Sequence, residues 1–404
     1  MAPRPPLCVM PPGRKLVCPD ADAGVTAPGL FLSRLRLSDF RSWQVLDASF
    51  DASLICIAGE NGAGKTNLLE AISLLAPGRG LRGARMAEFG RQQAGAGLPW
   101  AVAGRFETRL GAMDIGTGSD PEGHSERRVY RLDGQAVRSQ AMLAERVAAV
   151  WITPQMDRLF QEGASGRRRF LDRLVWALEP GHAREVAAHD SAMAERNRLL
   201  GEGRADPSWL AGLEDAMARH AVAVAAARRA LMLRLNAELV AGRATGAFPA
   251  ARLEIACPIL GALAETPAVA VEDALRQGLA ADRRRDAAAG GAARGAHKAD
   301  LSLIHMPKSI SAEFCSTGEQ KALLVSVVLA HATLIAEARG FAPLLLLDEV
   351  AAHLDPVRRE ALFAALAGLP AQVFMTGTDL EVFAPLAGLG RLFSAGDGKL
   401  IPAG

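Results

Sequence analysis

Residues 59–66 read G-E-N-G-A-G-K-T, and each residue type suits a phosphate at its place. Gly59, Gly62 and Gly64 let the chain turn tightly and approach an anion without a Cβ in the way. With Glu60, Asn61 and Ala63 they form a loop whose backbone N–H groups, and the helix N-terminus that follows, face the ligand. Lys65 can reach the β- and γ-phosphates, and the Thr66 hydroxyl can coordinate Mg²⁺. The pattern is G-x-x-x-x-G-K-[ST], and it needs a strand before it and a helix after it.

A second constellation lies near the other end of the chain. Four leucines, Leu344–Leu347, run into Asp348 and Glu349. An apolar strand ending in two carboxylates is the Walker B pattern. Asp348 would bind Mg²⁺, and Glu349 would orient or deprotonate an attacking water. Upstream, Ser316-Thr317-Gly318-Glu319 has the Ser-x-x-Glu form of a helix capping box. The catalytic candidates are therefore Glu349 and Lys65, and the metal candidates Thr66 and Asp348.

The elements around these residues can be read from periodicity. Residues 54–58 are apolar throughout and predict a buried strand. Leu68, Leu69, Ile72 and Leu75 then fall at helical spacing. Residues 31–50 alternate apolar and polar types around a turn at Arg41-Ser42, which predicts two strands with one wet face. Several short strands are expected over 100–137, with an Asp133-Gly134 turn, and another over 147–152. From 166 to about 242 the chain is rich in Ala, Leu, Arg and Glu and reads as helical throughout. Residues 253–260 suggest a strand, and 282–295 a loop returning to the first lobe. A long apolar helix is expected over 321–338 with Gly340 at its stop. Asp355 looks like an N-cap and Pro356 like a first-turn proline, with the helix ending near 367. A buried strand at 372–376 and a hairpin around Asp397-Gly398 close the chain.

Phosphate chemistry needs the glycine loop and the acidic strand at one Mg²⁺, yet they stand at opposite ends of the sequence. The sheet must be built from both ends, with the middle inserted. We expect an α/β ATPase head over 31–155 and 296–404, an inserted α-helical lobe over 156–295, and an extension without packed structure over 1–29. Bulk properties agree with a globular chain: 404 residues, 50% hydrophobic, 22% charged. A net charge of +2 does not by itself point to nucleic acid, so any DNA site must be a local patch. Basic candidates are Arg79, Arg82 and Arg85 in a glycine loop, and the run Arg167, Arg168, Arg169 at a helix start. A single tyrosine leaves little for a base-stacking platform. No uncharged apolar run reaches the ~18 residues of a membrane span, so no membrane partner is expected. Five scattered cysteines fit a reducing cytoplasm better than a disulfide framework.

At this point a resemblance can be stated. C-S-T-G-E resembles the signature motif of ABC-type ATPases, and A-H-L-D their D-loop. The whole set is similar to the RecF family of bacterial recombination mediators, across nearly all of residues 31–401. L-S-D-F-R-S-W, E-R-N-R-L-L, and above all R-R-R-F-L-D-R and G-A-H-K-A-D-L carry it, because generic ABC ATPases lack the last two. The resemblance implies an ABC-type P-loop head with a helical second lobe, and an ATP-dependent homodimer coupled to sequence-nonspecific DNA binding. It implies slow ATP hydrolysis, and RecO- and RecR-type partners that support RecA loading in repair. Ser316 and Gly318 would then touch the γ-phosphate of the partner's ATP, and Gln155, just after an apolar run and Pro154, would take the glutamine-loop role as a further metal contact. Cys315, Thr317, Glu319 and the Thr376-Gly377-Thr378 stretch depart from the wider ABC pattern and put fast turnover in doubt. His297 and Lys298 have no chemical role assigned. The competing readings are an ABC-type transporter ATPase subunit, which the lack of a switch histidine opposes, and a scaffold with a purely structural nucleotide.

Overall fold

The computed structural model describes residues 29–93, 96–120, 128–137, 139–203, 206–242, 248–352 and 354–403. The extension expected over 1–29 lies, except for Gly29, outside the described residues.

The chain opens with β1 (Leu30–Phe40) and β2 (Trp43–Ser49), an antiparallel hairpin turning at Arg41-Ser42. Next come β3 (Leu54–Ala58) and α1 (Lys65–Leu75). β4 (Ala101–Thr108), β5 (Gly111–Ser119) and β6 (Arg128–Leu132) follow and extend the β2–β1 hairpin into an antiparallel sheet. β7 (Ala149–Ile152) ends the first stretch of the head.

The middle is helical: α2 (Ala164–Leu178), α3 (His182–Glu202) and α4 (Pro207–Ala241). β8 (Ala251–Ala256) is followed by α5 (Pro258–Glu265), α6 (Ala268–Ala281) and α7 (Arg283–Ala289). Two expectations are corrected here. The strand expected over 253–260 stops at Ala256, because Pro258 starts a helix, as a first-turn proline can. The loop expected over 282–295 contains α7, whose Ala-rich sequence stops at Gly290 in the left-handed conformation.

β9 (Asp300–His305) pairs with β8 and returns the chain to the head. Then come α8 (Thr317–Arg339), β10 (Leu344–Leu347), α9 (Pro356–Ala367), β11 (Val373–Gly377), and the terminal hairpin of β12 (Arg391–Gly396) and β13 (Lys399–Pro402).

The second six-stranded sheet has the order β7-β10-β11-β3-β12-β13, parallel except for its last pair. One central strand comes from the beginning of the chain and its neighbours from the end. β3 and β10 are buried at every residue, which explains why each reads as an unbroken apolar run. α8 is apolar and long enough to cross a membrane, yet 78% of its most apolar window is buried inside the fold. It is the core helix of the head. Gln372, fully buried, joins the two sheets: its Oε1 accepts from Leu32 N at 2.7 Å and its Nε2 donates to Leu32 O at 3.1 Å.

Two apolar clusters result. The larger takes in both sheets, α1, α8, the buried face of α2 and the end of α4 near Leu231–Leu239. The smaller joins Met217–Ala225 of α4 to α5 and α6. Around it lies a buried ion network. The Arg196 guanidinium, at 0% exposure, donates to Glu214 Oε1 (3.0 Å), Asp286 Oδ2 (2.9 Å) and Leu279 O (2.7 Å). Arg283 adds two bonds to the same Glu214. One side chain thus ties α3 to α4, α6 and α7. Removing it leaves the buried Asp286 without a charged partner and Glu214 with Arg283 alone, so Arg196→Met should lower the unfolding free energy by about 3–5 kcal/mol in urea denaturation. A change under ~1 kcal/mol would mean the network is dispensable.

Candidate nucleotide site

The glycine loop leaves β3 and enters α1 at Lys65, as the spacing predicts. Its glycines are sterically required. A Cβ on Gly59 would sit 2.2 Å from Ala395 O. One on Gly64, at φ 90°, would sit 2.7 Å from Ser42 Oγ and 3.0 Å from Trp43 Nε1. Lys65 is buried within the loop, its Nζ donating to Gly59 O (2.6 Å) and Glu60 O (2.9 Å). An ammonium has three N–H groups, so one is left for a ligand. Glu60, Asn61 and Ala63 lie at the open mouth of the loop, exposed or half-buried.

The carboxylates of the distant strand arrive beside it. Thr66 Oγ1 donates to Asp348 Oδ1 at 3.0 Å, across 282 residues of sequence. Asp348 Oδ1 also accepts from Thr376 Oγ1 at 2.7 Å. Burial pushes the Asp348 carboxyl above its ordinary pKa, and the Thr376 and Thr66 hydroxyls oppose this. A hydroxyl, a carboxylate and a lysine around one glycine loop form a donor set that fits a Mg²⁺-triphosphate.

Glu349 follows in the left-handed region, φ 49°, an uncommon conformation for a non-glycine residue. Its N–H donates to Thr376 Oγ1 at 3.0 Å, and its carbonyl accepts from Lys321 Nζ at 3.2 Å. Thr376 was noted in the sequence only as a departure from the switch histidine. One hydroxyl there holds both Asp348 and the Glu349 backbone, and no motif marks it. Its signal was position: the end of the strand next to the acidic one.

Gln155 lies on a short turn of helix, Pro154–Arg158, and is exposed. Asp348 N donates to Ile152 O, so this segment leaves the sheet beside the carboxylates. No hydrogen bond among the described residues brings Gln155 itself to Thr66 or Asp348. Lys321 Nζ instead stands 3.7 Å from Asp157 Oδ2 on the same turn.

Ser316 caps α8, and both halves of the capping box with Glu319 are formed. Lys308 Nζ meets Glu319 Oε1 at 2.6 Å and, with the Ser316 hydrogen bonds, holds that carboxyl down to about 2. Ser316 is exposed and Gly318 half-buried. Neither bonds to the glycine loop or to Asp348. The signature motif is therefore on the surface, flanked by Phe314 and Val357, which are 75% and 73% exposed.

The turn L-S-D-F-R-S-W also proves to be part of the site's frame. Arg41 makes two hydrogen bonds to the fully buried Glu70 of α1 (2.8 and 3.1 Å). Trp43 Nε1 donates to Gly64 O (3.1 Å), and Asn67 Nδ2 to Ser42 Oγ (2.9 Å). Arg82 Nη1 reaches Asn67 Oδ1 (2.9 Å) and Glu70 Oε2 (3.3 Å), which puts this basic-loop residue beside the phosphate helix. Arg79 and Arg85 are exposed.

The arginine run weighed as a DNA contact is largely committed elsewhere. Arg167 makes two bonds to Asp300 (2.7 and 2.8 Å), and Arg168 Nη1 donates to Ala299 O (3.0 Å). Only Arg169 of the three is exposed. Asp172 of the same motif takes two bonds from Arg228 (both 2.8 Å), whose Nη1 donates to Ala296 O (2.7 Å). R-R-R-F-L-D-R and G-A-H-K-A-D-L are thus partners across one seam. His297 Nε2 meets Ala292 O at 2.9 Å, and burial pushes its pKa down.

A P-loop, an acidic strand beside it and an exposed capped signature helix define an ABC-type ATPase head. Comparisons with known proteins narrow this. The profile of the RecF/RecN/SMC N terminal domain matches residues 31–398. A protein named DNA replication and repair protein RecF, from Allorhizobium ampelinum, is 45% identical over 370 residues, which is 92% of this chain and 98% of that protein. Its namesake from Mesorhizobium japonicum is 46% identical over 372 residues, 92% of this chain and 97% of that protein. In fold, the chain resembles the solved "recombination mediator protein RecF-ATPrS in RecFOR pathway". That match has a TM-score of 0.81 and 20% identity, and covers 94% of this chain and 99% of the other. The Smc head domain from Pyrococcus furiosus matches more loosely, with a TM-score of 0.51 and 14% identity over 93% of this chain and 96% of the other. The chain belongs to the RecF family, which sets aside the transporter-subunit reading.

Thr376→Val keeps the shape and deletes the hydroxyl. It should cost about 1–3 kcal/mol of stability, because the Glu349 N–H loses its partner and the buried Asp348 Oδ1 keeps only Thr66. It should also weaken Mg²⁺-nucleotide binding, read by calorimetry with and without the metal. Unchanged affinity would remove Thr376 from the site.

Proposed function

We propose that this protein is an ATP-gated, sequence-nonspecific DNA-binding recombination mediator. The observation that carries this is the 3.0 Å contact of Thr66 with Asp348, which joins the phosphate loop to the acidic strand. Residues 59–66 hold the nucleotide. Thr66 and Asp348 hold Mg²⁺, with Gln155, on the turn that leaves the sheet beside Asp348, as a further contact. Lys65 neutralises the transferred phosphoryl group, and Glu349 orients or deprotonates the attacking water.

The metal and nucleotide supply the charge that the chain's own groups recognise. Lys65 binds from the loop, and Thr376 orients Asp348 and Glu349 together. Ser316, exposed, and Gly318, half-buried, make no hydrogen bond to their own glycine loop and serve the ATP of a second copy. Phe314 and Val357 supply apolar surface for that contact. Nucleotide state then sets the dimer population, because only the triphosphate offers a γ-phosphate to both faces. Hydrolysis is slow and DNA-dependent, and it resets the dimer. Family membership supports a reading in which the chain works in the cytoplasm with RecO- and RecR-type partners, loading RecA at gaps and stalled forks in repair, replication restart and SOS induction. Arg79, Arg82 and Arg85 are the proposed DNA-facing residues of the head.

Sedimentation with Mg²⁺ and ATP tests the reading. Wild type should dimerise with ATP and return to monomer as ATP is consumed. Glu349→Gln should stay dimeric, and Lys65→Ala should remain monomeric throughout. DNA binding should follow the dimer and weaken steeply with salt. Tight DNA binding by a monomer without nucleotide would overturn it.

A further inference from the structure

A cleft of about 990 Å³ opens beside α1. Its walls are residues 76–83, the end of β7 with the turn after it, α2, and the first half of α3. None of residues 59–66, nor Asp348 or Glu349, lines it, while Gln155 and Arg82 do and mark the side nearest the glycine loop. Its floor is rich in donors. Arg173 lies against the rings of Trp151 and Phe170, its Cζ at 4.5 and 5.3 Å from their centroids. Its Nη2 meets only the Met156 Sδ, at 3.4 Å, and its Nε is buried without a partner. The Trp151 Nε1, another donor in the same lining, is also buried without a partner.

Other inward-facing arginines of this chain end on oxygen. Arg128 bonds to Thr117, Gly78 O and Leu74 O, Arg339 to Ala177 O and Ala144 O, and Arg228 to Asp172 and Ala296 O. Among the described residues Arg173 has no oxygen acceptor. Burial alone pushes its pKa down to about 9, with no carboxylate offsetting it. Asp172, the inner carboxylate of the cleft, is already taken by Arg228 and His182. Arg79, Arg82 and Arg169 stand exposed in the same lining.

We propose that this cleft is a second phosphate site, separate from the glycine loop, with Arg173 and Trp151 at its floor and Arg79, Arg82 and Arg169 at its rim. A phosphate group supplies acceptor oxygens only, which is the complement of a lining with spare N–H donors and spare positive charge. A guanidinium packed against the Trp151 and Phe170 rings is restrained before binding and loses less entropy when it meets an oxyanion. The source is a phosphodiester of a nucleic-acid strand or a small phosphate. This goes beyond the ATP-gated reading and does not need it.

The test silences the glycine loop first. In full-length Lys65→Ala protein, inorganic phosphate and a short single-stranded oligodeoxynucleotide are titrated separately, followed by tryptophan fluorescence, since Trp151 and Trp176 both line the cleft. Arg173→Gln should weaken phosphate binding about tenfold or more. Because that guanidinium is also packed, Arg79→Ser/Arg169→Ser at the exposed rim is measured alongside, with circular dichroism as the folding check; it should weaken binding several-fold. Binding of inorganic phosphate alone assigns a small ligand, and much tighter, salt-sensitive binding of the oligonucleotide assigns a strand. Both support the site. No phosphate or oligonucleotide binding to the Lys65→Ala protein, or equal binding in the folded rim variant, overturns it. Loss of ATP-dependent dimerisation in wild type would instead count against the ATP-gated reading and leave this site standing.

Discussion

The fold depends on one adjacency: Thr66 and Asp348, at 3.0 Å, come from strands that only β11 separates. A parallel sheet places the carboxyl ends of neighbouring strands along one edge, where loops collect ligands. Here β3 delivers the glycine loop to that edge, β10 the two carboxylates, and β11, between them, Thr376. That middle strand is what makes the pair a site. Its hydroxyl is donor to Asp348 and acceptor for the Glu349 N–H, so it spans the gap that sheet geometry leaves. The left-handed Glu349 is affordable because the Thr376 and Lys321 contacts hold its backbone on both sides.

Much of this was legible in the chain because buried parallel strands advertise themselves. Residues 54–58 and 344–347 are uniformly apolar since both faces are covered, and the split head follows from needing both at one metal. Helix ends were equally readable: Ser316, Gly340, Asp355 and Pro356 each sit where their capping chemistry predicts. What escaped was of two kinds. Short elements in Ala-rich sequence, such as α7, lack the apolar stripe that periodicity detects. Polar contacts over long separations have no local signature at all. Nothing in the residues around Gln372 says that its amide will clasp Leu32, or in Arg41 that it will neutralise Glu70. The arginine run 167–169 misled for the same reason. A charge run usually lies in solvent, and only the return of β9 reveals that Arg167 and Arg168 face an acceptor wall.

The site has two faces, and one buried lysine connects them. Lys321 sits in the second turn of α8, 2% exposed, with Ser316 at that helix's cap. Its ammonium touches the Glu349 carbonyl and stands near Asp157 on the turn that carries Gln155. Burial lowers its pKa, and the nearby carboxylates oppose this. Burying an ammonium is costly unless it is paired, so the positions of the capped helix, the turn carrying Gln155 and the acidic end of β10 are fixed relative to one another. A rigid helix cannot move its exposed cap without moving this contact one turn along.

The inserted lobe is bound to the head by the same logic. A helical insertion held only by its two connecting strands would swing freely, and nothing at its tip could bias the ATP site. The seam prevents this. Arg228, projecting from α4, bonds to Asp172 on α2 and to Ala296 O on the returning chain, while Arg167 and Arg168 of α2 hold Asp300 and Ala299 O. Arg167 on Asp300 and Arg228 on Asp172 each bind with a two-bond fork that fixes direction as well as distance. α2 packs in the same apolar cluster as the head sheets, so a torque on α4 arrives at α2, and through it at the wall of the arginine-lined cleft and at the turn carrying Gln155. The two motifs that most distinguish this sequence from a generic ABC head are therefore the two halves of one mechanical joint.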